Sequence, residues 1–129
     1  MSITIKTIAH KDQRQNQVGD WLYDAGNTLI ILVSALGDWR MEFLIVCHEL
    51  IEVMLCRHAG IGQKQVDRWD GHYERHREKG DVSEAGDAKG SPYVVQHGIA
   101  SGIERVLAAI LGVDWLAYES KCDKLIEKI

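Results

Sequence analysis

The sequence is poor in the features that mark several large functional classes. Lysine and arginine are scattered and never run together, and the formal net charge is −4. A nucleic-acid backbone asks for a clustered basic surface, so no nucleic-acid partner is expected. The three cysteines, Cys47, Cys56 and Cys122, form no C-x-x-C. An odd number without that spacing reads as free thiols in a reducing compartment. Phosphate-cradling patterns (G-x-x-x-x-G-K-[ST], G-x-G-x-x-G) and the serine-hydrolase elbow G-x-S-x-G are absent, so those chemistries have no motif behind them. Met1 to Lys11 lacks the apolar stretch of a signal peptide. The apolar run 43–56 is too short for a bilayer and carries ionisable residues. The expectation is a cytoplasmic chain with no membrane partner.

A core is nevertheless affordable. Apolar residues make up 46% of 129 positions, ordinary for one globular domain, and neither repeats nor an inter-domain linker divide the chain. Residues 2–8 are β-branched and partly alternating, which predicts a strand. Residues 9–18 are polar and predict a connection. Two β-rich runs, 19–24 and 28–34, flank Ala25-Gly26-Asn27 and predict a hairpin.

After Gly37, the pattern turns helical. Asp38 is placed to cap a helix reaching about His58, with Gly60 as its stop. That helix is apolar almost all round, so it should lie at the centre of the fold. A second helix is predicted over Gln63 to Lys79, with Val66, Trp69 and Tyr73 inward and Asp67, Asp70 and Glu74 as an acidic stripe. Residues 80–92 read as a flexible loop. Ser91-Pro92 should open a third helix running to Leu111, and Asp114 a fourth running to Ile129, with Trp115, Tyr118, Cys122, Leu125 and Ile129 on one side. The class is α+β: an N-terminal strand and a hairpin on about four helices, in one domain, 1–129.

The chemistry concentrates in His48-Glu49-Leu50-Ile51-Glu52. On a helix, His48 and Glu52 share one face and Glu49 sits one position round. Buried ionisable groups need partners, and a metal ion is one. Two ligands at i and i+4 define one edge of a tetrahedral site, and the intervening carboxylate can draw a proton from the metal-bound water. His48 and Glu52 are thus candidate ligands and Glu49 the candidate base. The plainer reading is three polar groups satisfied by other side chains.

A third ligand must come from elsewhere. His97 leads, because His97, Ala100, Ser101 and Glu104 share a helix face whose small residues allow close approach. Glu104 is either a rival ligand or a carboxylate that orients a histidine. Asp70 and Glu74 are rivals suited to harder ions, or simply a solvated acidic face. His72 and His76 read as an exposed pair. Trp21, Trp39, Trp69 and Trp115, one per element, read as core or pocket wall.

A hairpin followed at once by an H-E-x-x helix resembles the zincin metallopeptidase core, over about residues 18–60. That resemblance implies a bound divalent metal, zinc first with manganese or magnesium as alternatives. It also implies an outer strand that takes an extended substrate, and hydrolysis of a peptide or another amide. Glutamate in place of the second histidine makes the ligand set more negative, so bound water is less acidic and harder ions are favoured. The longer signature, from Val18-Gly-Asp-Trp through His48-Glu-Leu-Ile-Glu to Gly112-Val-Asp-Trp115, also resembles small uncharacterised proteins of bacteriophages and prophages. That would place the chain in a host cytoplasm.

Two further functions compete. Glu49-x-x-Glu52 and Asp67-x-x-Asp70 resemble the paired acidic motifs of MazG-like pyrophosphatases, which would hold Mg²⁺ against a nucleotide triphosphate. Alternatively the protein is a non-catalytic phage accessory protein with a structural polar network. The expected partner is a peptide or small-molecule substrate, with a second copy of the chain as a further candidate.

Overall fold

The computed structural model describes residues 1–127. Three strands, β1 (Ile3–Ile8), β2 (Gly19–Tyr23) and β3 (Leu29–Ser34), form one sheet in the order β1-β3-β2. The hairpin is present: β2 runs antiparallel to β3. Asp24 closes its turn by accepting from the amides of Gly26 and Thr28, and Asn27 takes the left-handed conformation that asparagine tolerates. The N-terminal strand lies on the far side of β3 and runs parallel to it. β3 is therefore central, and Leu29, Ile31 and Val33 are completely buried. One side of that strand supplies the apolar floor on which the helices rest.

Four helices follow: α1 (Trp39–His58), α2 (Gln63–Arg75), α3 (Val94–Ile110) and α4 (Trp115–Glu127). The α+β class expected from the sequence is the observed one. Asp38 caps α1 by accepting from the Arg40 amide at 2.9 Å, and Gly60, at φ 75°, ends that helix. No residue of α1 between Leu44 and Cys56 is exposed, because the sheet covers one flank and α3 another. The α1 and α3 axes run in opposite directions. Arg40 reaches the carbonyl of Leu111, while one α-helical stretch further on Glu52 meets His97. Ala100 and Ala108, both fully buried or nearly so, keep that contact close.

Several boundaries differ from the sequence-based expectation. α2 stops at Arg75, not Lys79, because Arg77 turns back onto Glu74 and onto the carbonyls of Asp81 and Ser83. The segment 80–92 is not an open loop. It contains a short 3₁₀ turn, Ala85–Asp87, whose Ala85 and Gly86 are buried, and Trp69 donates its indole N–H to the Ala85 carbonyl at 2.8 Å. α3 begins at Val94. Ser91 and Pro92 lie in the preceding turn, where the Ser91 hydroxyl accepts from the Tyr93 amide. Trp39 is 69% exposed and fills no core. On α4, Tyr118 and Ile126 are the buried positions. Ile129, assigned to its inner face from sequence, lies outside the described residues. No described helix is long and apolar enough to cross a membrane.

Candidate metal centre

Helical periodicity turns His48, Glu49 and Glu52 inward from the centre of α1. The α1–α3 packing then sets His97 against them. Three atoms converge: His48 Nε2, Glu52 Oε2 and His97 Nδ1. Their separations are 3.1 Å for His48–Glu52, 3.1 Å for His48–His97 and 2.8 Å for His97–Glu52. A tetrahedral zinc ion with bonds of about 2.0–2.1 Å sets its ligand atoms about 3.3–3.4 Å apart. Opening each edge of this triangle by a few tenths of an ångström matches that spacing.

The far side of each of these groups is also held. His48 Nδ1 lies 2.8 Å from Glu104 Oε1, and the Tyr118 hydroxyl donates to the other Glu104 oxygen at 2.5 Å. His97 Nε2 lies 2.7 Å from Glu84, with Asp87 at 3.4 Å. Glu52 Oε1 accepts from the Trp21 indole at 3.0 Å. An ionised carboxylate only accepts, so the outer nitrogen of each histidine carries the proton. In neutral rings the inner nitrogens then present lone pairs to one another and to the Glu52 carboxylate. Three acceptors at hydrogen-bond distance need a cation between them, either a proton on a ring or a metal ion.

The electrostatics follow from this crowding. Burial alone would lower the His48 imidazole, but Glu104 and Glu52 hold it well above its ordinary value. Burial opposes His97 in the same way, and Glu52 and Glu84 bring it up to about 10. Burial would raise the Glu52 carboxyl, yet the hydrogen bonds from His48 and His97 bring it down to about 2. Glu49 behaves differently. It is 8% exposed and has no hydrogen-bond partner among the described residues. Burial first, and the Glu52 charge second, push its carboxyl well above the usual range.

All four groups line one cavity of about 690 Å³. Residues 16–19, which lead into the outer strand β2, form one of its walls. Two glycines shape it. A Cβ on Gly19 would come within 2.6 Å of Glu49 Oε1, and one on Gly86 within 2.5 Å of the His97 ring. Both segments therefore approach the polar cluster as closely as a backbone can.

The other sequence candidates have separate engagements. Glu104 orients His48 and does not enter the triangle. Asp70 accepts from the buried Tyr93 hydroxyl at 2.5 Å, and burial raises its carboxyl to about 6. Glu74 pairs with Arg77 at 2.6 Å, and Asp67 with Arg14 at 3.1 Å. None of these three lines the cavity. His72 and His76 are exposed, as expected. Glu84 escaped the sequence reading, and Trp21 and Tyr118, placed inward by it and buried as expected, were not foreseen as partners of Glu52 and Glu104. Glu84-x-x-Asp87 is an acidic pair inside a segment that resembled a loop, and nothing local marks Trp21 or Tyr118 as facing α1. Compared with protein-family models, with curated proteins and with solved structures, the chain matches none.

Proposed function

We propose that the protein is a metal-dependent hydrolase of zincin-like type acting on a peptide or another amide. His48, Glu52 and His97 hold the ion and Glu49 serves as general base. The observation that carries this reading is the triangle of three acceptor atoms, each with its outer atom held by a separate partner. Carboxylate-backed histidines are the usual arrangement around a protein-bound metal. Two histidines and one glutamate that line a cavity form a donor set that catalytic zinc takes; manganese is the harder alternative. The ion would polarise the substrate carbonyl and make an attacking water more acidic.

The chain's own residues do the rest. Glu49 lines the cavity, and burial raises its carboxyl well above the usual range, which makes the carboxylate a stronger proton acceptor. It accepts a proton as the water oxygen bonds to the carbonyl carbon, and returns it to the nitrogen as the C–N bond breaks. Glu104 and Glu84 hold the two rings in position. The segment 16–19 and outer strand β2 offer a wall along which an extended chain can lie.

The test is elemental analysis of the purified protein, followed by zinc titration of chelator-treated material. One equivalent of metal, lost in His48→Ala and kept in Glu49→Gln, is the expected result. A chain that takes up no metal under either condition overturns the reading.

A further inference from the structure

Beyond the two histidines, the cavity wall is predominantly acidic. Besides Glu49 and Glu52, its wall includes Asp81, Glu84, Asp87, Glu104, Glu119 and Asp123, and Arg77 is the one Lys or Arg among the described residues that line it. That guanidinium is already engaged by Glu74 and by two carbonyls. Glu119 and Asp123 sit one turn apart on α4 and have no hydrogen-bond partner among the described residues. Deeper in, the Glu49 carboxylate is more than nine-tenths buried and equally without one. One divalent ion at the histidines leaves the wall strongly negative. We propose that the site selects a substrate bearing a primary amine or guanidinium, received by Glu119 and Asp123 while its amide carbonyl faces Glu49. An anionic substrate meets like charge at Glu119 and Asp123 before it reaches the ion. This inference rests on the hydrolase reading and names its substrate class.

The probes are N-acetyl-lysine methylamide and N-acetyl-glutamate methylamide, titrated at low salt into the full chain loaded with zinc. The lysine amide should bind at least about tenfold more tightly. That preference should collapse in Glu119→Gln/Asp123→Asn, with zinc uptake unchanged. Equal binding of the two amides overturns the inference. So does a preference that survives the double substitution, or a second zinc ion per chain that the double substitution removes. Zinc uptake by the unaltered chain is read separately, so failure of the metal site is distinguishable from failure of the charge preference.

Discussion

His48 Nε2 and His97 Nδ1 lie 3.1 Å apart, and the far nitrogen of each ring faces a different carboxylate. This back-to-back arrangement leaves two imidazoles and Glu52 sharing one central position. Whatever cation fills it, the surrounding groups are already oriented to receive it.

The first consequence separates ligand from base. His48→Ala removes one corner of the triangle and leaves Glu52 and Glu104 buried beside fewer donors. Breaking a buried charged pair in this way costs about 3–5 kcal/mol, and metal uptake should vanish. Glu49→Gln removes a carboxylate that burial disfavours, so stability should hold or rise while metal is kept and turnover is lost. Thermal unfolding, zinc titration and hydrolysis of an amide panel read the three properties. Equal destabilisation by both changes would argue against separate roles.

Metal uptake should also release protons. In the metal-free chain, His97 is raised to about 10 and Glu52 lowered to about 2. The raised histidine contributes stability that is fully present below about pH 6.5, its unfolded value, and is lost as pH climbs through 10. The lowered glutamate contributes stability present above about pH 4.5 and lost as pH falls through 2. Metal-free protein should therefore lose stability between neutral and strongly alkaline pH, and the metal-loaded form should lose less. Calorimetric titration of zinc in buffers of different ionisation enthalpy should show proton release that shrinks as pH rises.

Outer partners should tune the centre without forming it. Trp21→Phe deletes the indole donor to Glu52 Oε1, and Glu104→Gln weakens the acceptor behind His48. Each should lower zinc affinity about 10–100-fold, the usual effect of such outer contacts. Competition with a chelating dye gives the constants. Unchanged affinity in both would mean that the triangle binds no ion.

Close backbone approach predicts a steric effect. Gly86→Ala sets a methyl within 2.5 Å of the His97 ring, and Gly19→Ala sets one within 2.6 Å of Glu49. The first should displace a ligand and weaken zinc binding. The second should leave zinc binding largely intact and slow turnover. Crowding of a packed site typically destabilises by about 1–3 kcal/mol, which denaturant unfolding will report.

Helical periodicity alone set His48, Glu49 and Glu52 on one side of α1, because a helix repeats every 3.6 residues whatever surrounds it. The same local logic marked Asp38 as the cap, Gly60 as the stop and residues 19–34 as a hairpin. Local signals did not reveal that β1 crosses to pair parallel with β3, because register between separated strands is chosen by the whole sheet. Nor did they reveal that the stretch 80–92 folds inward. Gly86 and Trp69, not any periodic pattern, bring Glu84 to His97. Trp39 shows the opposite failure, an aromatic that suits a core and finds none within its own chain.

The sequence by itself determined the helix that bears the polar residues and which of them point the same way. Tertiary structure decided what they meet. His48 and His97 are 49 positions apart and touch only because two antiparallel helices pack on small residues. Glu104 completes the cluster from α3 itself, and Glu84 and Trp21 from two further segments. Spacing along one helix is a property of the backbone, whereas convergence of distant groups is a property of the packed core.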